Sequence, residues 1–336
     1  MKKLSIIISN RNDVVMLSVT ICSCIEELRP FGFDGEIVIV DNSDESFLPQ
    51  LKAAIPSKYI SEGRIVFHHQ PFPCLFTARE KAAELALGKY ILCLDSHMIV
   101  GKDTFIDLYN FMERRSEDQT LGFAHAPINW AHHHESRARH DRDMSQHELG
   151  DWNSKYSYER TITWKGMPWI CRRDWFLDRD KGLNAYGALA EHRVSWGGGD
   201  MHIGVKPWLL GFKNWAVPTN PCIHIGPYPK IDAGDTPGTT LVSSSKADPY
   251  RYRQYASSGN YPHTFGFLVS CYVLGGEAMM ERNKDVLNER FGKFINIKKF
   301  WSKAIELGKK ERDWLVKRQK LSFEQLLQTK PWNETV

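Results

Sequence analysis

The chain has 336 residues, 42% of them hydrophobic, with 44 basic against 40 acidic side chains and a formal net charge of +4. That length makes one large or two medium domains with a sizeable core, and the near-balance of charge argues for a soluble protein and only weakly for an anionic partner. The apolar runs near the start are short and mixed with Asn, Arg and Asp, so neither a signal peptide nor a membrane-spanning stretch is expected.

The first half alternates strand and helix. Leu4-Ser5-Ile6-Ile7-Ile8 reads as the first strand, followed by the polar loop Ser9 to Asp13, with Asp13 a helix N-cap. Val14 to Leu28 carries helical spacing and ends before Pro30. Glu36-Ile37-Val38-Ile39-Val40 is the second strand, closed by Asp41-Asn42-Ser43, and Ile65-Val66-Phe67 is a short third one. Thr77 to Leu87 is a helix with Gly88 in the helix-stop position, and Tyr90 to Leu94 is the fourth strand. Such alternation predicts a mostly parallel, Rossmann-like sheet with helices on both faces. Ligands then gather beyond the carboxyl ends of the strands, where Asp41, Asp95 and the Ser9–Asp13 loop all stand.

Leu121 to Pro127 is a candidate further strand. Residues 129–160 are polar and His-rich and read as a long surface excursion, not as a zinc site, because the histidine spacing fits none. Thr161 to Pro229 is dense in Trp, Gly and Pro, as in a chain lining a cleft, and residues 230–262 read as loop. Phe265 to Arg282 is a helix interrupted by Gly275-Gly276, and residues 284–327 are helical and basic. The expected division is a catalytic unit over 1–229, its nucleotide-binding half about 1–100 and its acceptor half about 101–229. A loop and a basic helical extension would follow over 230–336. The seven cysteines are odd in number and show no paired CxxC pattern, which points to a reducing cytoplasm rather than to a disulfide framework.

Asp95-Ser96-His97 follows the apolar run Tyr90 to Leu94. A carboxylate and an imidazole two residues apart, at the end of a buried strand, can turn toward one divalent metal. A diphosphate leaving group needs such a metal, and manganese accepts an imidazole beside hard oxygen ligands. A third ligand has to come from far along the chain, and His224, in the apolar Cys222-Ile223-His224-Ile225-Gly226 between prolines, is the best candidate. For His97 the plain alternative is a hydrogen-bonded surface histidine. Asp41 can accept from a uracil N3–H or a ribose hydroxyl, or else cap the segment near Ser46. Arg79 can fork onto phosphate, or pair with Glu80 or Glu84 on the surface.

These stretches resemble the family-2-like GT-A glycosyltransferases, and within that group the polypeptide N-acetylgalactosaminyltransferase branch. Ile6 to Asn12, which includes Asn10 and Arg11, is similar to the opening strand and base-binding loop. Ile37 to Ser43 resembles the strand of the nucleoside-binding carboxylate Asp41. Thr77-Ala78-Arg79 through Gly88 to His97 resembles the helix, strand and Asp-x-His metal motif that holds Asp95, Ser96 and His97. Trp196-Gly197-Gly198-Gly199-Asp200, with Cys222 to Gly226 downstream, resembles the Trp-Gly-Gly-Glu-Asn element and its metal-binding histidine. The resemblance covers residues 4–229. It implies a GT-A fold, a nucleotide-sugar donor, read here as UDP-linked, and Mn2+ (or Mg2+) on Asp95, His97 and His224. Gly199 and Asp200 depart from the family's Glu and Asn, and no stretch of these 336 residues is expected to form the branch's membrane anchor, stem or lectin-like domain.

Asp200 is the candidate catalytic carboxylate. In an inverting reaction it would deprotonate the acceptor hydroxyl, whereas in a retaining one the departing phosphate takes that proton. Its other role is a helix N-cap. The glycines, Gly198 among them, allow close approach to a sugar, and Trp164, Trp169 and Trp196 offer stacking faces. Lys298 to Lys320 is basic with interleaved aromatics, which makes either an amphipathic helix covering the catalytic unit or a surface for an anionic partner. The acceptor is a hydroxyl on a glycan, a protein or, as in bacteriophages, hydroxymethylated DNA. A nucleotide-sugar-binding protein without transfer is the alternative of another class.

Overall fold

The computed structural model describes residues 2–130, 133–136, 139–140, 149–150, 159–160, 167–194, 197–225, 265–291 and 297–329. Side chains are described for 2–128, 167–194, 197–225, 265–285 and 297–329. In chain order the strands are β1 (Lys2–Asn10), β2 (Gly35–Asp41), β3 (Ile65–His69), β4 (Gly88–Asp95), β5 (Met98–Ile99), β6 (Leu121–His125) and β7 (Ile128–Trp130). There follow β8 (His133–Ser136), β9 (Arg139–His140), β10 (Leu149–Gly150), β11 (Glu159–Arg160), β12 (Trp169–Arg172), β13 (Lys213–Ala216) and β14 (Cys222–His224).

The main sheet has eight strands in the order β11-β13-β6-β12-β4-β1-β2-β3. β4, β1, β2 and β3 run parallel; the inner three carry apolar runs buried on both faces, while β3 is the partly exposed edge strand. β12 inserts antiparallel to both β4 and β6, which makes the sheet mixed. The register is what builds the site. Ser9 pairs with Asp95 and Asn10 with Asp41, so these four stand in one row at the carboxyl edge.

The expected Gly88 helix stop is a correction. The helix Leu75–Leu85 ends earlier, and Gly88 opens β4. A Cβ at Gly88 would lie 2.6 Å from the backbone N and hydroxyl of Ser5, so the glycine is there for close strand approach. The same corner is sewn by Glu36, fully buried, whose Oε1 accepts from Ser5 Oγ and Leu87 N at 2.6 Å each.

A smaller sheet runs β5-β14-β7-β8. Met98 of β5 pairs with His224 of β14, and Ile225 N donates to His97 O at 2.9 Å. This hairpin-like seam joins two segments far apart in sequence. The helix Thr104–Arg114, which no motif announced, packs Phe105, Leu108, Phe111 and Met112 into the core.

The helix Phe265–Phe291 is longer than expected and breaks at Gly276, where φ is 68°. Ile297–Arg318 and Phe323–Thr329 follow. Ile297, Ala304, Leu307, Gly308, Glu311 and Leu315 face inward, which is the covering role of an amphipathic helix, and its buried apolar residues join the sheet in one continuous core. The solvent face interleaves Lys309, Lys310, Lys317 and Arg318 with Glu306 and Asp313 around Trp314. Among the described residues no helix is long and apolar enough to cross a membrane.

Candidate active site

Strand β4 ends at Asp95, and the chain turns through Ser96 and His97 into β5. Thr20 pins that turn: its hydroxyl lies 3.0 Å from Ser96 O and 2.9 Å from Met98 O, and it accepts from Met98 N at 2.9 Å. Ser96 is 5% exposed. With the turn fixed below and the β5–β14 seam fixed beside it, the three expected metal ligands converge. His97 Nε2 and His224 Nε2 face each other at 3.1 Å, and His224 Nε2 stands 3.5 Å from Asp95 Oδ2. One ligand atom from each of Asp95, His97 and His224 lies within 4.8 Å of the others, and this is the cluster of this kind found among the described residues.

The donor set fits a divalent cation. Two imidazole nitrogens and a carboxylate oxygen bring lone pairs to one point, where a cation satisfies all three at once. Burial alone would push the Asp95 carboxyl up. The hydrogen bond from His224 and the charges of Arg79 and His97 outweigh it and hold Asp95 far below the usual carboxylate range. The ligand is therefore ionised and ready without a proton to lose.

Arg79 lies beneath this carboxylate rather than out on the helix surface. It is 4% exposed, with Nη2 donating to Asp95 Oδ1 at 2.8 Å and Nη1 donating to Tyr186 Oη at 3.1 Å. Neither Glu80 nor Glu84 is its partner in these contacts. Tyr186 and Asp13 had no signal of their own as site residues. Tyr186 sits in an aperiodic turn. Asp13 accepts from Met16 N at 3.0 Å, the expected cap bond, but its other oxygen also lies 3.9 Å from His97 Nδ1.

At the neighbouring strand ends Asp41 is fully buried and already engaged. It accepts from Asn10 Nδ2 at 2.8 Å, Ser43 Oγ at 2.5 Å and Ser43 N at 3.2 Å, and faces His69 Nδ1 at 3.2 Å. It caps no helix near Ser46. Around it Ser9 Oγ, Asn10 Oδ1, Asn42 Oδ1 and His69 Nε2 are buried atoms without a hydrogen-bond partner among the described residues. Buried polar atoms seldom stay that way, so the row is shaped to meet a polar ligand. Arg11 donates Nη1 to Asn42 O at 3.2 Å and reaches Asp44 at 3.7 Å.

Asp200 lies in the first turn of the helix Gly199–Leu209, half-buried, and acts electrostatically on Arg79, Cys93 and Tyr186. That coupling puts it near Arg79, the residue that holds Asp95. The glycines before it have a packing reason that the sequence did not show. Gly198 has φ of 73°, and a Cβ there would lie 2.7 Å from Gly266 O, while Ser270 Oγ donates to Gly198 O at 3.2 Å. A Cβ on Gly199 would strike the Phe76 ring. Trp169 is fully buried against Phe123 and Phe176 and is core, not a stacking face. Trp164 and Trp196 lie outside the described residues.

One half-buried acid makes a stability test. Burial pushes Glu80 from the ordinary 4.5 up to about 7, against the opposing hydrogen bond from Tyr186 N and the charge of Lys206. Its folded value lies above its unfolded one, so its contribution is complete below pH 4.5 and is lost as pH rises to 7. Denaturant titration should show wild type losing about 2 to 3 kcal/mol between those limits that Glu80→Gln retains. Parallel curves for the two proteins would contradict this.

Residues 5–168 match the family model for Glycosyl transferase family 2. The structure is similar to one described as the crystal structure of GalNAc-T7 with UDP, GalNAc and Mn2+, with a TM-score of 0.62 at 18% identity. The likeness covers 93% of this chain but 55% of that one, so this chain spans little more than half the length of that relative. No curated protein sequence matches. At that identity the structural likeness speaks for fold alone. The family match thus spans just under half of the chain, and the fold of the whole is GT-A-like.

Proposed function

We propose that this chain is a metal-dependent glycosyltransferase that moves a sugar from a UDP-sugar to a hydroxyl acceptor. The observation that carries the reading is the meeting of Asp95, His97 and His224 at the carboxyl edge of a parallel sheet. Two imidazoles with a carboxylate suit manganese better than magnesium, which prefers an all-oxygen shell. When bound, the cation neutralises charge gathering on the departing diphosphate.

The chain's own residues do the rest. Asp41 acts through Asn10: by accepting from Nδ2 it leaves Asn10 Oδ1 free to accept a uracil N3–H. Arg11 borders the same loop. Arg79 holds the Asp95 carboxylate in place instead of forking onto phosphate. Asp200 faces the sugar side of the cleft, where it can take the acceptor proton. Gly198 keeps this helix end close to Ser270, which shapes the pocket wall, and Trp196 directly precedes that element. All seven cysteines are free, which fits a reducing cytoplasm. The basic C-terminal face, mixed with acids, covers the core, and we assign it no anionic partner.

Thermal shift against a panel of nucleotide-sugars, with and without Mn2+, tests the reading. A rise with UDP-sugars that requires the metal supports it, and slow Mn2+-stimulated hydrolysis of the stabilising donor separates transfer from mere binding. No shift with any donor in the presence of Mn2+ sinks it.

A further inference from the structure

The helices after residue 264 lie outside the family match, yet one of their carboxylates is buried in the catalytic half. Glu311, midway along Ile297–Arg318, is 5% exposed. Its Oε1 accepts from Lys206 Nζ at 2.7 Å and from His202 Nε2 at 3.0 Å. Its Oε2 accepts from Ala188 N at 2.6 Å. Lys206 also donates to Ala185 O at 2.7 Å and to Asn184 O at 3.4 Å. Burial would raise the Glu311 carboxyl, but His202 and Lys206 bring it down to about 2, so it is fully charged at neutral pH.

The turn it grips is strained. Asn184 has φ of 55°, Ala185 of 30° and Gly187 of 46°. Positive φ at non-glycine residues costs about 1 kcal/mol or more each and persists only where the surroundings over-determine it. Lys206 bonds the carbonyls of the two non-glycine members. A Cβ at Gly187 would collide with the Glu311 carboxylate, so glycine is what admits that carboxylate. What the turn delivers is Tyr186. Its ring is fully buried, its N donates to Glu80 Oε1 at 2.8 Å, and its hydroxyl meets Arg79, which in turn holds Asp95.

We propose that Glu311 is a positioning residue: with Lys206 it locks the strained turn Asn184–Gly187, so that Tyr186 fixes Arg79 against Asp95. The C-terminal helix thus sets the orientation of a cation ligand that it does not itself touch. The consequence for binding rests on the metal–diphosphate reading above; the locked turn does not.

The test compares Glu311→Gln, Tyr186→Phe and the two combined, in the full chain. Amide exchange over residues 184–191 is read in metal-free protein, and Mn2+-dependent UDP affinity by calorimetry. Glu311→Gln should speed exchange in that segment on the order of tenfold and weaken Mn2+-dependent UDP binding about tenfold. Tyr186→Phe should weaken binding by a similar factor, and the combined variant no further than the weaker single one, because both act through Arg79. Should Glu311→Gln fold poorly, Lys206→Met with Glu311→Gln removes both buried charges and should loosen the same turn. A folded Glu311 variant with wild-type exchange over 184–191 overturns the proposal, as do additive losses in the combined variant. If wild type binds no UDP with Mn2+, the functional reading fails, and the exchange measurement still decides the turn.

Discussion

Replacing Asp95 with alanine should abolish Mn2+-dependent UDP binding, a loss of about a hundredfold or more, or about 2.7 kcal/mol. The carboxylate is the anionic member of the cluster and its two oxygens are divided. Oδ1 is held by Arg79, and Oδ2 faces His224. Alanine removes the charge that offsets a dication and leaves the Arg79 cation directed at the place where the dication should sit. His97 and His224 alone bring two neutral nitrogens to a site then dominated by a positive charge. Asp95→Asn should fail almost as fully, since the amide keeps the shape and loses the charge. Calorimetry with UDP and Mn2+ measures this, and unchanged affinity in the alanine variant would remove Asp95 from the site.

Arg79→Met should destabilise the fold by about 2 to 4 kcal/mol, because it strips a buried partner from a half-buried carboxylate. Arg79 is 4% exposed, so solvent cannot replace it. Lysine should not rescue it. A single ammonium cannot span Asp95 and Tyr186 as the planar guanidinium does through Nη2 and Nη1. Mn2+ should restore part of the lost stability, because a cation on Asp95 supplies the missing charge. Denaturant unfolding of Arg79→Met with and without Mn2+ reads both effects. A variant as stable as wild type would show that the pair contributes nothing.

Much of the first hundred residues was legible because strands buried on both faces must be apolar throughout. Ile6-Ile7-Ile8, Ile37 to Val40 and Tyr90 to Leu94 therefore announced β1, β2 and β4, and their ends placed Asp41 and Asp95. The meeting of His97 with His224 rests on the two-residue pairing of β5 with β14, too short a seam to show as a pattern. β12 reads as a cleft-lining Trp-rich stretch until its antiparallel insertion buries Trp169. The helix Thr104–Arg114 did carry a legible signal, apolar at 105, 108, 111 and 112, that the search for motifs passed over.

Other roles depended on long-range partners that spacing does not encode. Arg79 looked like a surface or phosphate residue until Tyr186 closed over it, 107 positions along the chain. Gly88, Gly198 and Gly199 looked like a helix stop and a sugar-facing loop, and each is a close approach to Ser5, Gly266 or Phe76. Glu311 carries no signal of its own in a basic helix, and its place on the inward side is what brings it onto Lys206.

The most direct measurement is anomalous diffraction at the manganese edge from crystals grown with UDP and Mn2+. One peak bonded to the Asp95 carboxylate and to both imidazoles, at His97 and His224, with diphosphate oxygens completing its shell, is the expected result. A manganese peak elsewhere, or UDP seated beyond the strand ends with no metal between those three side chains, would contradict it.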